Sequence, residues 1–324
     1  MPSHPTHGNV QVVDLSQGPF ENRTSCTGPK NNFLRGLADH GVNTIIRYYS
    51  DKNNLPCKNI TIEERKLLHD FGFNVAIVYQ YNGRMPGRYT AATGRKDAAF
   101  CLERANEISQ PDGSAIYFGI DADTAVHDPQ GVLDYLTEAN AALAPRFAIG
   151  CYAAGKICEL ALNRRLVTFT WVPEAPAWSG TREFMNSGKW TFYQNKTDMR
   201  KSDLSRGHGI EVDTDIVNPA NSTIGAFDRA GNLVSYPKED LDAIATMRMW
   251  VNKREMTLFD RPGGSKVGHM CVARMVRAIS KVDANWVTID INEDGRADGV
   301  CRLEDLSPLF QMPDWSPGCQ PMPL

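Results

Sequence analysis

Ile116-Tyr117-Phe118-Gly119-Ile120-Asp121-Ala122-Asp123 begins as an apolar strand and stops at two carboxylates spaced i, i+2. Strand side chains alternate, so Asp121 and Asp123 share a face with Tyr117 and Gly119, and Ile116, Phe118 and Ile120 take the other. In a parallel α/β sheet, helices cover the apolar face and the C-terminal strand end carries the chemistry. Asp121 and Asp123 are therefore the first candidates for a site. The same two residues also suit a plain loop start that caps a helix opening near Asp128.

Seven further segments have strand character: 11–16, read as a strand ending in Asp14, then 44–49, 74–81, 147–152, 168–172, 190–194 and 210–216. Helix-like segments at 32–40, 62–71, 95–109 and 129–144 fall between several of them. Strand and helix in alternation predict an α/β fold with a parallel sheet. Eight strands in this length suit a TIM-like (β/α)8 barrel, with a doubly wound open sheet as the alternative. In a barrel, Asp14, Asp121, Asp123, Asp213, Asp215 and Gln194 converge on one rim, and Tyr79 and Tyr81 join them from the third strand. Carboxylates that donate and accept protons, beside rings that stack on pyranose faces, are what a sugar-cleaving site requires. Each ring taken singly also fits a half-buried core position with a wet polar tip.

D-L-S on the first strand, Y-F-G-I-D-A-D on the fourth, C-Y-A-A on the fifth, A-W-S-G after the sixth, F-Y-Q on the seventh and V-D-T-D on the eighth resemble the glycoside-hydrolase-like family called domain of unknown function 1906. That family is related to the lysozymes of glycoside hydrolase family 25, and the resemblance spans residues 10–218. It implies a (β/α)8-like barrel and cleavage of the β-1,4 bond after N-acetylmuramic acid in peptidoglycan. It also implies Asp123 as general acid, Asp121 and Asp14 as stabilisers of the positively charged centre, and Asp213 as the eighth-strand acid, with Asp215 the alternative in register. Tyr79, Tyr81, Gln194, Trp178 and Asp215 are then the substrate-binding candidates. The lysozymes carry Glu where this chain has Asp123, one methylene shorter, and a misplacement of about an ångström can cost about a hundredfold in rate. A non-catalytic glycan- or wall-binding barrel is the alternative function.

The expected division is a barrel over 1–222, a linker and helix over 223–252, and a small all-β unit over 253–324. Leu241, Ile244, Met247 and Val251 fall on helical spacing, predicting a helix from Lys238 to Val251. Beyond it, short strands and turns resemble a bacterial Src-homology-3-like module that binds cell-wall peptide bridges, on R-P-G-G-S-K-V-G and N-W-V-T. Asp290, Asn292, Asp294 and Asp298 copy the opening of a calcium-binding EF-hand loop, but the twelfth position is Cys301 instead of Glu. An Asp-Gly hairpin turn explains the same residues without calcium.

Eight cysteines without a C-x-x-C pair argue against a zinc ribbon. Cys26 with Cys57, and Cys271 with Cys301, are candidate disulfides, and free buried thiols are the other reading. No cofactor is called for. A net charge of -3 lacks the basic footprint of a nucleic-acid binder, and no apolar run reaches membrane-spanning length. The start of the sequence does not read as a signal peptide. A wall target then implies synthesis in the cytoplasm and delivery by lysis or by a secretion machine, with that machine or an immunity protein as a further partner.

Overall fold

The computed structural model describes residues 11–50, 57–197, 208–253, 255–293 and 295–315. Eight strands close into a barrel: β1 (Gln11–Asp14), β2 (Val42–Tyr49), β3 (Asn74–Tyr79), β4 (Ala115–Gly119), β5 (Ala148–Tyr152), β6 (Phe169–Val172), β7 (Phe192–Lys196) and β8 (Asp213–Val217). Neighbours from β1 through β2 to β7 run parallel, whereas β8 is antiparallel to both β7 and β1. The reversal puts the start of β8 at the rim where the other strands end. Helices α1 (Asn31–Asp39), α2 (Ile62–Asp70), α3 (Ala91–Glu107), α4 (Pro129–Leu143), α5 (Gly155–Asn163) and α6 (Thr181–Asn186) follow strands β1, β2, β3, β4, β5 and β6 in turn. Their starts are written locally: Thr90 and Thr93 form a reciprocal capping box on α3, and Asp128 accepts from Gly131 N ahead of Pro129 on α4.

Alternation sorts each strand into an outward set facing helices and an inward set filling the barrel. On the outer side, Arg47 is fully buried and pairs with Glu64 of α2 at 2.5 Å, while its guanidinium also donates to the carbonyls of Leu15 and Cys57. Those extra bonds offset the desolvation of a buried ion pair. On the inner side, the Tyr117 ring lies against Phe192 and Trp171, with centroids 5.1 and 6.3 Å away. A Cβ at position 150 would sit 2.2 Å from the Tyr117 ring, so glycine there lets the ring lie against β5 without displacement.

The N-terminal end of the barrel is plugged. Gly225 O accepts from Ala115 N, Phe227 exchanges both backbone bonds with Val75, and Tyr117 donates to Ile224 O at 2.7 Å. Tyr236 closes the same end, its hydroxyl 3.1 Å from Thr44 Oγ1. Residues 224–236, part of the expected linker and helix segment 223–252, thus form a floor under this end of the barrel.

Helix α7 (Lys238–Met247) stops four residues short of the expected Val251. The remainder forms β9 (Arg248–Val251), first in sequence of an antiparallel sheet with β10 (Glu255–Phe259), β11 (Lys266–Cys271), β12 (Met275–Lys281), β13 (Trp286–Asp290), β14 (Gly299–Arg302) and β15 (Leu306–Pro308). The spatial order is β11-β10-β14-β13-β12-β9-β15. Met249, Trp250 and Val251 pair with β15 as a strand, and the Trp250 indole donates to Leu309 O at 2.5 Å, a gain that outweighs one more helical turn.

This sheet is welded to the barrel. Trp250, Ala273, Met275, Leu309 and Met312 are buried in the same apolar cluster as the barrel interior. Glu293 accepts from Asn195 of β7 at 2.6 Å and from Arg248 at 2.7 Å, all three being buried, and Arg274 pairs with Glu174.

The disulfide Cys26–Cys57 ties the loops after β1 and β2. The other expected pairing does not form: Cys301 is a free buried thiol on β14, and Cys271 is disulfide-bonded elsewhere. Of the calcium-loop candidates, Asp294 lies outside the described residues. Asp298 accepts from the backbone N–H groups of Ile291 and Asn292 and from the Asn292 amide, and Asp290 accepts from Gly295 N. These oxygens are thus engaged by N–H groups of the same loop.

Candidate active site

The open rim holds a cleft of about 280 Å³ whose walls include Tyr48, Gln80, Asp121, Tyr152, Trp171, Gln194 and Asp213. Each comes from a strand end or the residues just past it, with inward parity. Asp14 ends β1 and is 2% exposed. Tyr48 donates to its Oδ1 at 2.7 Å, and Gln194 Nε2 donates to its Oδ2 at 2.9 Å and to Asp213 Oδ2 at 3.1 Å. Tyr152 donates to Gln194 Oε1 at 2.9 Å, which turns the amide so that its N–H side faces the two acids.

Burial pushes the Asp14 carboxyl up to about 6, against the opposing hydrogen bonds from Tyr48 and Gln194 and the nearby charges of Lys58 and Arg47. Asp215 pairs with Val12 and Gln194 and so sits one layer deeper than Asp213. It is 3% exposed, and neither carboxylate oxygen has a hydrogen-bond partner among the described residues. Burial, reinforced by the charges of Asp14 and Asp213, raises its proton affinity well above the usual range; the Trp171 indole works the other way but closes no hydrogen bond to it. Burial without a hydrogen-bond partner favours the neutral acid at this position.

Asp121 faces the open part of the cleft. Burial raises its proton affinity, while the Arg84 guanidinium, 3.0 Å away through Nε, and the charges of Lys58 and His127 hold it down. Asp123 is different and corrects the expectation of a shared face. The strand stops at Gly119, so alternation does not carry through to residue 123. Asp123 Oδ1 turns into its own loop and accepts from Thr124 N at 2.7 Å and Ser179 N at 2.9 Å. Burial, the largest single effect, raises its proton affinity, but the backbone and side-chain bonds from Ser179 and Thr124 together outweigh it and depress the carboxyl below its usual range. An ionised acceptor outside the cleft lining is not placed to donate a proton to a ligand there.

Three aromatic candidates also lie elsewhere. Tyr79 faces outward, packed on Phe100 and Phe118 with centroids 5.9 and 5.8 Å away. Tyr81 carries the Arg88 guanidinium over its ring at 5.4 Å. Trp178 is half-buried in the loop after β6, in a turn closed by its N–H to Ala175 O. None of the three lines the cleft. The residues missed were Tyr48, Tyr152 and Trp171, which share inward parity with the acids on strands already recognised, and Lys58 and Arg84, which sit on loops with no periodic signal.

Residues 35–217 match the model of the Rv2525c-like, glycoside hydrolase-like domain, and the chain belongs to that family. Among solved structures, the Tat-secreted protein Rv2525c of Mycobacterium tuberculosis in complex with L-tartrate superposes with a TM-score of 0.50 at 20% identity, over 64% of this chain and 95% of that one. Two uncharacterized proteins of Bacillus subtilis (strain 168) are similar in sequence. YbfG is 25% identical over 49% of this chain and 24% of its own length, and FadG is 24% identical over 71% and 40%. The chain thus matches less than half the length of either curated relative.

Among the described residues, no group of three or more His, Cys, Asp or Glu side chains is placed to hold a metal ion. The cleft brings carboxylates together: one reachable acid with raised proton affinity, and a buried acidic cluster able to face positive charge.

Proposed function

We propose that the cleft binds and hydrolyses a cell-wall glycan, cutting the β-1,4 bond after N-acetylmuramic acid in the manner of a muramidase. The observation that carries this reading is the opposition of Asp121 to the Asp14–Gln194–Asp213 cluster across one cleft. Asp121 takes the role that the sequence assigned to Asp123. Its proton passes to the leaving oxygen as the C1–O bond breaks, and the positive charge developing at C1 is met by the Asp213 and Asp14 carboxyl groups. Water then adds at C1 and returns a proton to Asp121. Gln194 and Tyr48 fix the acids in place, and Asp215 stays neutral beneath them.

The disulfides at Cys26–Cys57 and at Cys271 favour an oxidising compartment, which agrees with a wall target outside the cytoplasm. We assign the C-terminal sheet, with its Src-homology-3-like motifs, to wall attachment beside the barrel. A non-catalytic glycan-binding role is the second reading, favoured by the ion pair that holds Asp121 against Arg84.

Incubating the purified chain with peptidoglycan sacculi and identifying soluble products by mass spectrometry separates the two. Disaccharide-peptides with reducing N-acetylmuramic acid ends are the expected products. Protein bound to sacculi with no soluble product would establish the binding role instead, and neither binding nor product would overturn both readings.

A further inference from the structure

Beside the main cleft lies an arm of about 420 Å³, bordered by Lys58, Gln80, Asn82, Gly83, Arg84 and Asp121. It shares Gln80, Arg84 and Asp121 with the cleft, so a sugar bound at Asp121 reaches both spaces. The geometry points to this arm as a subsite for a carboxylate on the sugar next to the scissile bond, with Arg84 as the group that reads it. The inference rests on the glycan reading above and specifies which glycans are preferred.

Two features of the arm carry it. The first is its charge: a guanidinium and an ammonium flank a space whose other walls are Gln80, Asn82, Gly83, Met85 and the Asp121 carboxylate that Arg84 engages, and a planar guanidinium matches a carboxylate through paired N–H donors. Arg84 engages Asp121 through Nε, and its side chain is 81% exposed, which leaves its outer edge facing the arm.

The second is the rigidity of the loop that presents Arg84. His127 Nε2 donates to Gly83 O at 2.7 Å, and Arg88 donates to Tyr81 O at 3.2 Å while forming a buried ion pair with Asp97. Tyr135 donates to Asp97 as well, at 2.8 Å. Gly83 lies so close over the acid that a Cβ there would sit 3.0 Å from Asp121 Cβ. The loop therefore fixes the backbone from which Arg84 reaches Asp121, and the ion pair with Asp121 orients the guanidinium beside the proton donor.

The arrangement links recognition to catalysis. Arg84 is the main charge that opposes the effect of burial on Asp121. A substrate carboxylate that shares the guanidinium weakens that opposition and lets Asp121 keep its proton until the glycosidic oxygen takes it.

The test uses peptide-free glycan strands bearing the free lactyl carboxylate and the same strands converted to the methylamide, titrated into the full chain by calorimetry. Wild type is expected to bind the free acid about fivefold more tightly, the scale of one partly exposed ion pair. Arg84→Gln should bring that ratio close to one, and Arg84→Lys should keep part of it. Equal binding of both strands by wild type, or a preference that survives Arg84→Gln, would overturn the subsite while leaving the glycan reading intact. Failure of wild type to bind either strand would overturn both.

Discussion

Asp14 and Asp213 stand directly opposite each other on β1 and β8, and one amide nitrogen, Gln194 Nε2, donates to both carboxyl groups. The reversed direction of β8 makes this possible, because it begins at the rim where β1 ends. Replacing Gln194 by Leu would remove the shared donor and strand the Tyr152 hydroxyl. We expect a loss of roughly 2 kcal/mol in stability from the unsatisfied buried groups, read by urea denaturation, with a fall in glycan cleavage. Unchanged stability would show that the amide does not bridge the acids.

The buried acids predict how stability depends on pH. Asp14 has its folded value raised from 3.8 to about 6, so the unfolded chain releases this proton before the folded one does. Its contribution is complete below pH 3.8 and is lost as pH rises through 6, amounting to about 3 kcal/mol. Asp215 is shifted the same way. Asp215→Asn keeps the neutral shape and removes the titration, so its Tm should match wild type near pH 4 and exceed it increasingly toward pH 8. A pH-independent difference would contradict a neutral buried acid.

Gly150→Ala tests the packing beneath the cleft. The added methyl meets the fully buried Tyr117 ring, which is hemmed in by Phe169, Trp171 and Phe192. Overpacking of this kind costs about 1–3 kcal/mol. Differential scanning calorimetry should show a lowered Tm, and an unaltered one would mean that the ring has room to move.

The C-terminal sheet and the barrel should unfold together. Arg248→Met removes the charged partner of the buried Glu293 carboxylate and leaves it the neutral Asn195 amide, and breaking a buried pair costs about 3–5 kcal/mol. Because Trp250 and Met275 belong to the barrel's own apolar cluster, a chain truncated after residue 247 should be insoluble or molten, as judged by near-ultraviolet circular dichroism. A soluble, cooperatively folding barrel without the sheet would refute this coupling.

The barrel was legible because each strand carries enough apolar alternation to announce itself, and acids at strand ends announced the rim. Direction was not legible: nothing in I-E-V-D-T-D-I says whether the strand runs up or down, yet the reversal decides that Asp213 meets Asp14 while Asp215 lies a layer below. The misreading of Asp123 came from carrying a two-residue period past Gly119, where the strand ends and loop hydrogen bonds take over. Tyr79 was placed on the wrong side of its strand, a distinction the inward positions Ala76 and Val78 carry. Arg84 and Lys58 lie on loops, and only the closed fold brings them beside Asp121.

The central claim is that Asp121, and not Asp123, is the proton donor of a glycan-cleaving cleft. Release of reducing ends from sacculi by wild type, Asp121→Asn and Asp123→Asn, each checked for folding, tests it most directly. Asp121→Asn should slow release by about 10²–10⁴ with binding to sacculi retained, the scale of a lost general acid. Asp123→Asn should keep most of the rate and lose stability instead. The reverse pattern, with Asp123→Asn inactive and Asp121→Asn releasing reducing ends at the wild-type rate, would contradict the account.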